Sequence, residues 1–277
     1  MGMKPGRIWG IYFSATGTTR LVVRYLANSL AAGLSLPRIE FDFTRPEARR
    51  SVPSPGRGDL AIFGIPVYAG RVPNLLLPYI REIHGGGAAV VPVVLYGNRS
   101  FDDGLRELQR ILEENGFHTV AAAAFIGEHA FSDTLAQGRP NVHDLAQADR
   151  LVEALIRRYS GIDTNEPPHR IEVEGQFPPR PYYQPRDLQG NPIDIRKVKP
   201  KTDTACAHCG LCAPLCPMGA IDARNTDIIS GVCIKCCACV KGCPAGAKYF
   251  DDPGFLWHLH DLEETYGHFK RSVQLFL

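Results

Sequence analysis

The sequence predicts an α/β fold, a doubly wound five-stranded parallel sheet, followed by a small cysteine-rich α+β domain. Three observations predict it. Over residues 1 to about 160, near-continuous apolar runs of strand length alternate with segments of helical spacing, the pattern of a parallel sheet covered on both faces. From 162 to 203 that rhythm gives way to a proline-rich stretch. All nine cysteines then fall between Cys206 and Cys243.

The elements follow in order. "RIWGIYF" (7–13) reads as the first strand and "TTRLVVRYLANSLAAG" (18–33) as a helix closed by Gly33. "RIEFDF" (38–43) is the second strand and "DLAIFGI" (59–65) the third. "NLLLPYIREI" (74–83) is a helix interrupted by Pro78, and "AAVVPVVLY" (88–96) the fourth strand. "DDGLRELQRILEEN" (102–115) is a helix capped by Asp102 or Asp103, and "TVAAAAFIG" (119–127) the fifth strand. A last helix runs from Asp144 to Gly161. Prolines 167, 168, 178, 179, 181, 185 and 192 forbid a helix interior or a central strand, so 162–203 is a linker or a surface-hugging arm, with Tyr182 and Tyr183 as anchors. Residues 204–250 form the cysteine module, and 251–277 an aromatic, helical tail packed on one of the domains.

At 277 residues and 44% hydrophobic, the chain has material for more than one domain. Its 31 basic and 29 acidic side chains leave a formal charge of +2 without a charged run, which argues against nucleic acid or a membrane surface as partner. The opening residues fit neither a signal peptide nor a spanning helix, so a cytoplasmic location is expected.

Cysteines crowded into one segment of a cytosolic chain point to metal rather than disulfides. Cys206, Cys209, Cys212, Cys216 and Pro217 recur 27 positions later as Cys233, Cys236, Cys239, Cys243 and Pro244, so both halves read C-x-x-C-x-x-C-x-x-x-C-P. Three cysteines two residues apart wrap a tight loop around one face of a cluster, and the fourth thiolate must come from elsewhere. Structural zinc also takes four thiolates, typically from two separated pairs, whereas this pattern would leave thiolates surplus. The spacing resembles the bacterial-type dicluster ferredoxins. That resemblance implies two [4Fe-4S] clusters with exchanged ligands: Cys206, Cys209, Cys212 and Cys243 for one; Cys233, Cys236, Cys239 and Cys216 for the other. Cys237 is off-pattern and reads as a small non-ligating residue, and His208 as a solvated one.

After the first strand, "SATGTT" (14–19) leads into a helix. Small hydroxyl residues beside free backbone amides and the positive end of a helix dipole suit a phosphate monoester, although capping by Ser or Thr would use the same residues. Neither a Walker lysine nor G-x-G-x-x-G is present. Two further loops meet this one at the carboxyl edge of the sheet: "GIPVYAGRVP" (64–73) and "YGNRSFDD" (96–103).

The three loops are similar to the FMN site of flavodoxins. The resemblance implies that Ser14, Ala15, Thr16, Gly17, Thr18 and Thr19 hold the phosphate, and that Pro66, Val67, Tyr68, Ala69 and Gly70 supply a tyrosine stacked on the isoalloxazine. Tyr96, Gly97, Asn98 and Arg99 would border its other side, with Gly97 admitting the ring, Asn98 and Arg99 addressing its polar edge, and Asp102 capping the next helix. The fourth-strand loop lacks the acidic, aromatic stretch of ordinary flavodoxins, so Arg99 would stabilise anionic reduced flavin instead.

The whole chain resembles the fused flavodoxin and dicluster-ferredoxin proteins of anaerobic bacteria and archaea. This implies a redox protein that passes electrons between FMN and two [4Fe-4S] clusters, with protein donors and acceptors and no residue in a catalytic role. The alternatives are a reductase of a quinone, nitro compound or activated alkene fed by the clusters, and a flavin-free binding module.

Overall fold

The computed structural model describes residues 5–161 and 170–277. Pro167 and Pro168 of the proline-rich stretch lie outside the described residues. Strands β1 (Arg7–Tyr12), β2 (Arg38–Asp42), β3 (Asp59–Pro66) and β4 (Ala89–Tyr96) run parallel in the order β2-β1-β3-β4. The fifth position is shared by β5 (His118–Thr119) and β6 (Ala122–Ile126), both parallel to β4. The order is that of a doubly wound 2-1-3-4-5 sheet, whose switch point lies between β1 and β3.

Side-chain alternation fills both faces. Trp9, Ile11, Ala61, Phe63, Ile65, Val90, Val94 and Ile126 face a core shared with α2 (Leu77–Arg81) and α3 (Gly104–Glu114). Ile8, Tyr12, Leu60, Ile62, Val91, Val93 and Phe125 face α1 (Thr18–Leu34) and α4 (Val142–Tyr159). Each strand therefore buries both residue parities, which is why its sequence is apolar throughout.

Three local expectations are corrected. Gly33 does not close α1: a Cβ there would run into Ile156 of α4, and Ser35 takes the left-handed cap position at φ 53°. Gly33 is thus a packing residue. Helix α4 begins two residues early, because Asn141 and Asp144 form a reciprocal capping box, and it ends at Tyr159. Neither Asp102 nor Asp103 caps α3 through its side chain: the Asp103 carboxylate instead accepts from the amides of Gln176 and Arg180 and from the Arg180 guanidinium.

From Arg170 to Pro200 the chain forms no helix and no extended strand, and it lies against the sheet domain. Ile171 and Val173 join the core on the α3 side, and Gln109 donates to the Ile171 carbonyl at 2.8 Å. The Tyr182 hydroxyl donates to the Val72 carbonyl at 2.8 Å, and the Tyr183 amide to that of Ala69 at 2.9 Å. Beyond it, β7 (Lys201–Thr202) pairs antiparallel with β8 (Lys248–Tyr249), enclosing α5 (Cys212–Leu215) and α6 (Ala238–Lys241).

The tail is helical only in part. Helix α7 (Pro253–Tyr266) starts at an Asp252 cap with proline in its first position, and β9 (Gln274–Phe276) then adds an antiparallel strand to β6. An exposed β6 edge would leave its amides and carbonyls unpaired, and β9 satisfies them. No described helix is long and apolar enough to cross a membrane.

Candidate functional site

Where β1 ends, the Phe13 amide bonds the Gly64 carbonyl and the Ser14 amide bonds the Thr44 hydroxyl at 2.8 Å, turning the chain over the sheet edge. Gly17 occupies the N-cap of α1 at φ 97°, a conformation open to glycine, and offers no side-chain cap. Of the first-turn amides, that of Arg20 goes to the Ser14 hydroxyl at 3.0 Å and that of Leu21 to the Gly17 carbonyl. Those of Thr18 and Thr19 are left for an anion. Helix and sheet meet tightly here, since a Cβ on Gly64 would strike Val23 and come within 3.0 Å of the Thr19 methyl.

After β3 the chain makes a two-residue turn, with Ala69 at φ 50° and Gly70 at φ 77°, closed by paired bonds between Tyr68 and Arg71. Arg71 anchors the turn through a two-pronged bond to Glu107 and lies 4.6 Å over the Tyr182 ring. Tyr68 is half-buried. Burial, reinforced by the neighbouring Cys236, Cys237 and Cys233, raises its phenol well above the ordinary range.

The loop after β4 differs from expectation at two positions. Gly97 borders the cavity, but the space freed by its missing Cβ is taken by His129, whose Cγ would lie 2.8 Å away. Asn98, buried at φ 66°, spends its amide on the Tyr266 and Phe269 carbonyls at 2.8 and 2.9 Å, and so holds the tail rather than the cavity. Arg99 borders the cavity, pairs with Asp102 and stacks 4.3 Å over the Tyr183 ring.

These loops enclose one cavity of about 720 Å³. Ser14, Ala15, Thr16, Thr18, Thr19, Pro66, Val67, Tyr68, Ala69, Gly70, Tyr96, Gly97 and Arg99 line it, whereas Gly17 and Asn98 do not. The volume lies within the roughly 300–1,000 Å³ typical of ligand pockets. Sequence reasoning missed the rest of the wall: Asn74 and Leu75, Leu95, Ser100, Gly127 to Phe131 after β6, Tyr182 to Pro185 and Ile193 to Arg196 of the arm, Val232 to Lys235, and His258 and Leu262 of α7. The 127–131 loop leaves a strand at the same carboxyl edge and was findable by that rule. The arm and α7 carried no such signal. Burial, together with the nearby His258, Lys241 and Arg99, pushes His129 down to about 3. Burial likewise lowers His258 to about 4, against the opposing pull of Asp261.

The cysteine loops repeat in geometry as well as sequence. His208 and Gly210 have φ of 50° and 75°, and their equivalents Lys235 and Cys237 have 57° and 56°. Left-handed residues spaced this way turn backbone amides inward, forming the concavity that anions and iron-sulfur sites occupy. Cys216 Sγ accepts the Ala220 amide at 3.2 Å, and Cys243 Sγ the Ala247 amide at 3.3 Å. Cys216, Cys233, Cys236 and Cys239 line a second cavity of about 20 Å³ together with Cys237. Cys209 is exposed, and Cys206, Cys212 and Cys243 are half-buried. Burial pushes Cys236 and Cys239 up to about 12, so holding them as thiolates requires a cation. At Cys243 the amides of Ala247, Ala245, Lys248 and Gly246 outweigh burial and lower the thiol. Among the described residues, no three His, Cys, Asp or Glu side chains converge as ligands of a single ion.

No family model and no curated protein matches the chain. Solved structures similar to it include a flavodoxin from the domain Archaea, at 10% identity over 56% of this chain and 99% of that one, with a TM-score of 0.40. A short-chain flavodoxin associated with a PDU bacterial microcompartment has 13% identity over 57% of this chain and 99% of that one, with a TM-score of 0.39. Fusobacterium nucleatum flavodoxin bound to flavin mononucleotide has 17% identity over 56% of this chain and 98% of that one, with a TM-score of 0.36.

Proposed function

We propose that the chain is an electron-transfer protein that holds FMN in the 720 Å³ cavity and two [4Fe-4S] clusters in its cysteine loops. One observation carries the reading: Val232 to Lys235, which include a cysteine of the second motif, form part of the same cavity wall as the hydroxyl loop and Tyr68. When bound, the flavin supplies one- and two-electron chemistry and each cluster one-electron chemistry.

The chain's own residues provide the rest. The Thr18 and Thr19 amides and the hydroxyls of Ser14, Thr16, Thr18 and Thr19 are the donors for a phosphate at the start of α1. Tyr68 and Tyr96 offer aromatic walls, and Tyr183 of the arm with His258 and Leu262 of α7 lines the cavity as well. A protein partner exchanges electrons by way of the cysteine module. A redox protein on each side, donor and acceptor, is the proposed partner class, and the cytoplasm the proposed location.

The second reading is a small-molecule reductase. The side of the cavity formed by Ile193, Ile195, Val232 and Leu262 is apolar enough for a quinone or alkene beside the ring. Anaerobic purification with iron, sulfide and flavin quantified together tests the first reading: about eight iron, eight sulfide and one FMN per chain are expected. Zinc in place of iron, or a flavin-free protein after reconstitution, would overturn it. Turnover of quinones or nitro compounds by the loaded protein would favour the second.

A further inference from the structure

Resting on that reading, the geometry points to a fixed internal order. The cluster on Cys216, Cys233, Cys236 and Cys239 is the flavin's immediate redox neighbour, and the cluster on Cys206, Cys209, Cys212 and Cys243 is the port where a one-electron protein carrier exchanges electrons.

Two sides of the module differ. The second cysteine loop reaches the flavin cavity and no residue of the first does. Tyr68 lines that cavity together with Val232, Cys233, Ile234 and Lys235 of the second loop. The same side is fastened to the sheet domain. Arg49 donates to the Phe43 and Thr44 carbonyls at 2.8 Å and to that of Pro217, directly after Cys216, at 2.5 Å. Lys241 donates to the Ser132 carbonyl at 2.9 Å.

The other side faces solvent. Cys209 is exposed, as are His208 and Leu211 beside it, whereas Cys236 and Cys239 of the second loop are buried. Electrons therefore enter one at a time at the first cluster, pass to the second and reach FMN. Two such deliveries and one proton from water convert oxidised FMN to its fully reduced anion and leave two oxidised carrier molecules. The reverse flow uses the same path.

The repeat supplies matched probes, since His208 and Lys235 occupy equivalent left-handed positions. Lys235 lines the flavin cavity and lies between two ligands of the second set, its ammonium donating to the Cys233 carbonyl at 3.0 Å. The full chain, loaded with FMN and about eight iron, is titrated potentiometrically with optical and EPR detection. A preparation that cannot be so loaded refutes the functional reading and not the order. Lys235→Gln is expected to lower the potentials of FMN and of one cluster together. His208→Lys is expected to raise the other cluster's potential alone. The order is overturned if His208→Lys moves the flavin, or if Lys235→Gln shifts a cluster and leaves the flavin fixed.

Cys209→Ser, in the exposed loop, tests the port. It is expected to lose about four iron, keep the flavin potential, and slow FMN reduction by a reduced bacterial ferredoxin. Undiminished FMN reduction after that loss would show that the first cluster is not the entry point.

Discussion

Asp103 is buried at the start of α3, and its carboxylate takes the Arg180 guanidinium through two nitrogens and the Arg180 amide as well. One side chain thereby fixes the arm to the sheet domain. These bonds, the Arg180 side chain foremost, hold the Asp103 carboxyl down to about 2, against the upward pull of burial. Because the folded value is depressed, this stabilisation is present above the ordinary aspartate range and is lost as pH falls from about 4 toward 2. Asp103→Ala should cost about 2 kcal/mol and speed proteolysis of residues 174–186. Unchanged proteolysis would assign the arm's attachment to Ile171, Val173, Tyr182 and Tyr183 instead.

The hydroxyl loop should discriminate FMN from riboflavin. Thr16→Ala combined with Thr19→Val removes two hydroxyls and keeps the methyl that packs near Gly64. Each loss should weaken FMN by about 1.5–3 kcal/mol if the hydroxyl meets a charged phosphate. Riboflavin affinity should hardly change, and equal weakening of both would place the phosphate elsewhere.

Gly97 makes room for His129. Gly97→Ala should cost about 1–3 kcal/mol through overpacking. Adding His129→Ala should recover part of that loss, because the clashing ring is gone. A double mutant no more stable than Gly97→Ala would rule out His129 as the neighbour that demands glycine.

His129 and His258 are held neutral by burial, at about 3 and 4. Their folded values lie below the unfolded one near 6.5, so the unfolded chain binds more protons between the two. Stability should therefore be full above pH 6.5 and fall on acidification, by about 1.4 kcal/mol per pH unit for each histidine, down to pH 4 to 3. Denaturant titrations from pH 7 to 5 would show it, and His129→Gln should flatten the slope.

Cys237 occupies at φ 56° the place that Gly210 holds in the first repeat, with its thiol pointing to the Lys235 carbonyl. Cys237→Gly and Cys237→Ala should both keep full iron. Because both lose the thiol, the difference between them isolates the backbone, and the glycine variant should be more stable by about 1 kcal/mol. Loss of iron in either would make Cys237 a ligand.

The sheet was legible because each strand is apolar on both faces, and the hydroxyl loop, Tyr68 and Arg99 were legible because they follow strands at one edge. What escaped was set by contacts distant in sequence. Nothing near Gly33 announces Ile156, and nothing near Asn98 announces the Tyr266 and Phe269 carbonyls that claim its amide. Asp103 looked like a helix cap because aspartate commonly is one, and Arg180, far along the chain, outcompeted that role. Ser35 took the position expected of Gly33 because α1 needed the smaller residue for its crossing with α4.

Strand β9 pairs with β6, and every residue of the cysteine module lies between them in the chain. During synthesis, then, the sheet stays one strand short until the cysteine module has left the ribosome. Ala122 to Ala124 must wait for Gln274 to Phe276, a separation of about 150 residues, and such non-local pairing is slow. Until that pairing forms, the nascent chain holds an open β edge, so its exposure to edge-to-edge aggregation lasts until the whole cysteine module has been made.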